Sequence, residues 1–324
     1  MNIAFLDDFH AAYAATDGVR RLREIGNVTI FTDPLPGPEA LRGFQALVTT
    51  RERTKLTADY LAALTDVRII AQTGNHAYHV DLAAAQARGL VIAKATGGFC
   101  GAAGELAFGL MIALMRQISA SDQAMRLGQW PMPMTQVLRG KTLGIVGLGN
   151  IGKYVARIAN AFGMRVFAWG SRLTPEKAQV EKCEYRTLEA LMAESDIVSI
   201  HATLSPQTTG LISYDLIGRM KPTAYIVNTA RGAILDEDAL VDALRSGTIA
   251  GAALDVFSSE PLAVDHPLRD LPNTVLTPHL GWPTDEMYAQ FSTAAADAII
   301  DFANGKDVPQ FLPESLPTEP SKQA

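Results

Sequence analysis

The stretch Thr142-Leu143-Gly144-Ile145-Val146, followed by Gly147, Gly149 and Gly152, constrains this chain more than any other. A short apolar run ends in glycines, and Ile151, Val155, Ile158 and Phe162 then recur at helical spacing. Strand, glycine turn and helix in that order make G-x-G-x-x-G a dinucleotide-binding fingerprint. Gly147 permits the tight turn, Gly149 lets a pyrophosphate approach the backbone, and Gly152 lets helix and strand pack closely. The phosphates would sit on unpaired N–H groups at the helix start, around Asn150 and Ile151. Such a motif normally opens its domain, yet more than 140 residues precede it.

Those residues read as an α/β domain of their own. Short β-rich runs at 2–6, 28–32, 46–50, 67–71 and 90–93 alternate with helical patterns at 11–25, 57–64 and 80–88. Alternation of this kind implies a parallel sheet covered by helices. The stretch 97–118 is predicted as a long helix, apolar on most of its circumference. Such a helix is buried between domains or subunits, or is the core helix of one domain. Beyond the fingerprint the βα pattern resumes. Strands are predicted at 142–146, 165–169, 197–201, 224–228, 250–255 and 274–277, and helices at 188–193, 214–220 and 237–246. The fold class is therefore α/β, with doubly wound parallel sheets. A last helix is predicted at 284–304, and the polar, proline-rich tail 313–324 is expected to be disordered.

Composition narrows the function classes. A net charge of −6 without a Lys/Arg cluster argues against nucleic acid as a partner. Two cysteines, Cys100 and Cys183, cannot build a disulfide framework, and the N-terminus has no basic region before its first acidic residues. No apolar run is long enough to span a bilayer. A cytoplasmic protein with no membrane partner is expected, and no metal-ligand spacing stands out.

An NAD site usually places Asp or Glu about 20 residues past the glycines. Here Gly170, Ser171 and Arg172 occupy that point. A guanidinium attracts a 2′-phosphate that a carboxylate would repel. NADP is thus favoured over NAD; the alternative is a solvated Arg172 beside an NAD held by backbone contacts.

Three segments follow predicted strands at the edge where a nicotinamide would lie. They contain Thr229, Ala230 and Arg231; Asp255 through Glu260; and His279 with Trp282. An Arg can bind a carboxylate and polarise a carbonyl. A His can deliver a proton near neutral pH, and a Glu can orient its ring and favour its charged form. Together they suit reduction of a carbonyl.

With these residues the sequence resembles the D-isomer-specific 2-hydroxyacid dehydrogenases, the family of glyoxylate/hydroxypyruvate reductases and D-3-phosphoglycerate dehydrogenases. The likeness runs from about residue 45 to 305 and includes Gly74-Asn75-His76, Gly104-Glu105-Leu106-Ala107, 143–152, 199–209, 227–232, 254–261 and 277–281. The resemblance implies reduction of a small 2-oxo acid, such as glyoxylate or hydroxypyruvate, to the D-2-hydroxy acid. Arg231 would bind substrate, His279 would be the acid/base and Glu260 its partner. Backbone amides of Gly74, Asn75 and His76 would hold the substrate carboxylate, and Asp255 would lie beside the nicotinamide amide.

The resemblance also implies a Rossmann cofactor domain (99–286) inserted into a flavodoxin-like substrate domain (1–98 with 287–312), domain closure over the substrate, and a homodimer formed through the cofactor domain. Departures fall at His76, where a second glycine is common, and at Thr203 after His201, where the segment near the adenine often has Pro. Trp282 stands where a small residue is usual and would narrow the pocket. Arg51-Glu52-Arg53 would either reach an acidic substrate or remain surface charge. The same motifs also resemble dinucleotide-sensing corepressors, which share the fold; the short tails argue for the enzyme. Formate-dependent relatives lack the Glu partner, so Glu260 disfavours that donor.

Overall fold

The computed structural model describes residues 1–98 and 101–313. The predicted disordered tail lies almost wholly outside them, as does Cys100. Two compact units divide the chain: Met1–Cys100 with Pro283–Ala324, and Gly101–Trp282, so the second interrupts the sequence of the first.

The first unit runs β1 (Asn2–Phe5), α1 (Asp17–Ile25), β2 (Asn27–Ile30), β3 (Ala46–Thr49), α2 (Ala58–Ala63), β4 (Ile69–Thr73), α3 (Leu82–Ala87) and β5 (Val91–Ala95). The five strands are parallel, in the order β2-β1-β3-β4-β5. Thr57 and Asp81 cap α2 and α3 by accepting from the N–H groups of Tyr60 and Ala84, as their positions before apolar runs suggest. The helix predicted from residue 11 instead starts at Asp17. Residues 11–13 are turned away by the buried Asp8 carboxylate, which accepts from Ala12 N–H (2.9 Å) and Tyr13 N–H (3.0 Å), with Ala11 at φ +49°. β4 lies two residues later than the predicted 67–71. Its polar Gln72 and Thr73 can be buried because their side chains bond Thr49 on β3.

The second unit begins with α4 (Ala102–Met115) and α5 (Ile118–Arg126). The long helix predicted over 97–118 is shorter and is followed by a second one, because Gln117 takes a left-handed conformation (φ +50°) between them. α4 packs on the helix and strands of its own unit, so it is a core helix of that unit. Then follow β6 (Thr142–Val146), α6 (Asn150–Ala161), β7 (Arg165–Trp169), α7 (Pro175–Val180), β8 (Glu184–Tyr185), α8 (Leu188–Glu194), β9 (Ile197–Ile200), α9 (Tyr214–Ile217), β10 (Tyr225–Asn228), α10 (Glu237–Ser246), β11 (Gly251–Leu254) and β12 (Thr274–Leu276). The seven strands are parallel, in the order β12-β11-β10-β9-β6-β7-β8.

The strands of this second sheet are apolar at successive positions because both faces are covered. Val146, Phe167, Val198 and Ile226 point into one core, while Ile145, Val166, Ile197 and Val227 point into the other with α4 and α6. The chain returns to the first unit in α11 (Asp285–Ala303), which lies against α1, β4 and β5 and buries Tyr288, Phe291 and Ile299. Among the described residues no helix is long and apolar enough to cross a membrane.

Candidate active site

The seven-stranded sheet reverses its strand order between β6 and β9, and ligands of such sheets bind outside the carboxyl ends at that point. Gly147 follows β6 with φ +102°, a conformation that suits glycine. A Cβ there would sit 2.5 Å from Ala202 N, in the segment after β9. A Cβ on Gly152 would meet the Gly147 carbonyl oxygen at 2.2 Å, so the helix can approach the turn only without one. At Gly149, which caps α6, an added Cβ would meet nothing within 4 Å. Open space therefore lies over the first N–H groups of α6, contributed by Asn150, Ile151 and Gly152. This cradle fits the pyrophosphate of a dinucleotide.

Around it stand the remaining residues singled out in the sequence. Ser171 and Arg172 are exposed in a turn after β7, closed by Leu173 N–H to the Gly170 carbonyl (3.0 Å). His201 bonds Ser199 Oγ through Nε2 (2.9 Å), and burial pushes its pKa down to about 4, so the ring is neutral. The Thr203 carbonyl accepts from Thr208 Oγ1, which fixes the turn after β9. Thr229 is 8% exposed, and its hydroxyl has no hydrogen-bond partner among the described residues. A buried hydroxyl without a partner is costly unless a ligand satisfies it. Ala230 N–H is held by Asn228 Oδ1 (3.0 Å).

The residues expected to act on the substrate follow three neighbouring strands. Arg231 follows β10, and its Nη1 donates to the Ala230 carbonyl (2.7 Å) while Asn228 Nδ2 donates to its own carbonyl (3.0 Å). Gly232 lets this loop touch the one after β11: a Cβ there would lie 2.0 Å from the Phe257 carbonyl carbon. That second loop carries Glu260. One carboxylate oxygen accepts from Phe257 N–H (2.9 Å) and the other lies 2.7 Å from His279 Nδ1. Burial works against the Glu260 anion, but the bonds from His279 and Phe257 and the charges of His279 and Arg231 outweigh it. The carboxyl titrates below its ordinary value.

His279 follows β12 with φ +58°, a conformation non-glycine residues adopt at a cost of about 1–2 kcal/mol. Asp255 offsets that cost. Its carbonyl accepts from His279 N–H (2.9 Å). Its carboxylate, fully buried, accepts from Thr277 Oγ1 (2.6 Å), Leu280 N–H (2.7 Å) and Gly281 N–H (2.9 Å). Burial raises the Asp255 pKa against the pull of those three bonds. The sequence pointed to Asp255 only as a nicotinamide neighbour; in the structure it clamps the turn that presents His279.

Sequence reasoning missed a second pair, Glu237 and His266. Glu237 Oε2 accepts from Ser258 N–H (3.1 Å), and its Oε1 lies 3.4 Å from His266 Nε2. This pair braces the Glu260 loop from the start of α10. Its only signal was two acidic residues at a helix start, which also suits a plain helix dipole.

Within the first unit, Gly74, Asn75 and His76 follow β4, and Gly74 has φ +91°. The structure brings Arg51 and His76 onto a shared neighbour, Glu52 (3.3 and 3.4 Å). Asn75 is exposed, and Trp282, the last residue of the second unit, is half-buried.

Comparison with known proteins places these motifs in context. Residues 108–281 match the family model described as D-isomer specific 2-hydroxyacid dehydrogenase, NAD binding domain. A glyoxylate reductase from Aeropyrum pernix is 42% identical over 80% of this chain and 80% of its own. A D-3-phosphoglycerate dehydrogenase from Synechocystis is 38% identical over 79% of this chain, which spans 46% of that longer protein. Among solved structures, the apo D-lactate dehydrogenase of Escherichia coli superposes with a TM-score of 0.85 at 26% identity, covering 96% of this chain and 99% of its own.

Proposed function

The chain belongs to the D-isomer-specific 2-hydroxyacid dehydrogenase family, and from that premise we propose that it reduces a small 2-oxo acid of the glyoxylate or hydroxypyruvate kind to the D-2-hydroxy acid. The observation that carries the reading is the His279–Glu260 contact of 2.7 Å beside Arg231, on the edge where the dinucleotide cradle opens. When bound, the reduced nicotinamide supplies the hydride. Arg231 holds the substrate carboxylate and polarises the C2 carbonyl. Glu260 keeps the His279 ring oriented with Nδ1 toward itself, which leaves Nε2 to give a proton to the carbonyl oxygen. Asp255 and Glu237 hold the two loops in place. In the first unit, the amides of Gly74, Asn75 and His76 are assigned to the substrate carboxylate.

The cofactor proposed is NADP. The turn after β7 offers Ser171 and Arg172, both exposed, and no carboxylate. A homodimer through the second unit is proposed as well. Helix α5 buries none of its residues, and Leu127, Trp130, Met132, Met134 and Val137 extend its exposed apolar surface. A patch of this kind marks an interface on a soluble protein, and its place on the cofactor-binding unit favours a second copy as its occupant.

Assay of a panel of 2-oxo acids with NADH and NADPH in parallel tests substrate and cofactor together. Efficient turnover of glyoxylate or hydroxypyruvate with NADPH is the expected result; turnover of none of the panel with either cofactor would reject the reading.

A further inference from the structure

We propose that Glu52 determines substrate specificity: it cancels the charge of Arg51 at the carboxyl edge of the five-stranded sheet, so the substrate accepted there carries no second anionic group. This rests on the reductase reading and narrows its substrate to 2-oxo acids with uncharged side chains, as opposed to phosphorylated or dicarboxylic ones.

The five-stranded sheet reverses its order between β1 and β3, the place where a doubly wound sheet seats a ligand. Asp7 follows β1 and Arg51 follows β3, both with positive φ. Arg51 is locked in that left-handed conformation at both ends. Its N–H donates to Thr73 Oγ1 (2.9 Å), and its carbonyl accepts from Gln72 Nε2 (2.9 Å). The turn sends the Arg51 side chain across Gly74, where an added Cβ would lie 3.1 Å from Arg51 Cδ. The side chain is 16% exposed.

On this held guanidinium sits Glu52, with Oε2 3.3 Å from Arg51 Nε. The same oxygen is 3.4 Å from His76 Nε2, and the His76 ring stacks on Tyr78 at 4.5 Å between centroids. The other arginine of the loop is also engaged. Arg53 donates to the Asp7 carbonyl and lies 4.6 Å from the centre of the Phe9 ring. Two further carboxylates, Asp7 and Asp8, are buried beneath the edge. A phosphate or second carboxylate arriving here meets an arginine already neutralised by a neighbour. To take the guanidinium in a bidentate grip it must displace Glu52 and stay beside it. Repulsion of that kind is how a site rejects a competitor that shares the reacting group.

The test is the ratio of kcat/KM for phosphohydroxypyruvate to that for hydroxypyruvate, with oxaloacetate against pyruvate as a second pair. Wild type is expected to show both ratios well below one. Glu52→Gln, which removes the charge and keeps the shape, is expected to raise both by about tenfold. Glu52→Asp keeps the charge and is expected to hold the wild-type ratios. A wild-type ratio above one, or Glu52→Gln ratios within about twofold of wild type, would overturn the assignment while leaving the reductase reading intact. The wild-type ratios need no variant, and Glu52→Ser serves if the glutamine variant fails to fold. A wild type that reduces no 2-oxo acid overturns the reductase reading and this inference with it.

Discussion

His279 Nδ1 and the Glu260 carboxylate lie 2.7 Å apart although each residue is on a different loop, one after β12 and one after β11. The pair is built by folding and not by local sequence, so each partner can be removed alone. His279→Ala should lose about 10²–10⁴-fold in kcat, the usual worth of a positioned acid, with little change in cofactor affinity. Glu260→Gln should lose less, because the amide can still orient the ring. Near-normal turnover of His279→Ala would assign the proton donor elsewhere. Acid should affect the pair late. The Glu260 carboxyl titrates below its ordinary 4.5, so its stabilising contacts are complete above that value and are lost as pH falls through the lower folded one. The stability difference between wild type and Glu260→Gln, from denaturant titrations at several pH values, should stay constant above pH 4.5 and shrink below it.

Asp255 gives a separate test of how His279 is held. Asn in its place has one acceptor oxygen and turns an N–H toward at least one of the three donors that Asp255 now satisfies. Asp255→Asn should cost about 1–3 kcal/mol of unfolding free energy, the penalty for an unpaired buried polar group. Its kcat should fall more than its cofactor affinity, because the left-handed turn at His279 loses its clamp. Thr277→Val removes one bond and should cost about 1 kcal/mol. Thermal melts and cofactor titrations of both variants measure the two effects, and a wild-type melt for Asp255→Asn would reject the clamp.

These dependencies explain what could be read from the chain and what could not. Apart from β8, the strands of both sheets were legible because each is a largely apolar run of three to five residues between turn formers. Gly147 and Gly152 of the fingerprint were legible because close approach of backbone to backbone leaves one choice of residue. β8, two residues long, has no periodicity to read, and α5 has no buried face to reveal it. The start of α1 was misread because one buried side chain, Asp8, takes the N–H groups a helix would need. The Asp255 clamp escaped because its donors lie 22–26 residues further along the chain. Arg231, Glu260 and His279 were singled out by their place after strands; the contact between Glu260 and His279 is three-dimensional.

The proposed preference for NADP turns on Arg172. Its exposed guanidinium sits in the turn where an NAD site would offer a carboxylate. Arg172→Ala should lower kcat/KM with NADPH by at least about tenfold, the scale of one charge-assisted bond, and leave NADH use nearly unchanged. An equal fall with both cofactors, or a clear NADH preference in wild type, would reject the 2′-phosphate contact.

The exposed apolar surface after α5 predicts an assembly. Trp130 is 77% exposed and Met134 94%, with Leu127, Met132 and Val137 beside them in sequence. Wild type should sediment as a dimer at micromolar concentration, and Trp130→Asp with Met134→Asp should sediment as a monomer, because carboxylates at the centre of an apolar interface are costly to bury. A monomeric wild type, or a dimer that tolerates both aspartates, would reject this surface as the interface.

His201 sets the last expectation, on pH and folding. Burial holds its pKa at about 4 in the folded chain, against 6.5 for an ordinary histidine. The unfolded chain therefore binds a proton over a window in which the folded one does not. The resulting stability is complete above pH 6.5 and falls as pH drops from 6.5 towards 4. At 1.36 kcal/mol per unit the loss is about 3 kcal/mol at most. His201→Gln, which keeps a polar atom facing Ser199 and cannot titrate, should remove this part of the pH dependence. Denaturant unfolding of both proteins between pH 4 and 7 measures the difference. Parallel slopes in the two would mean that His201 is not held neutral.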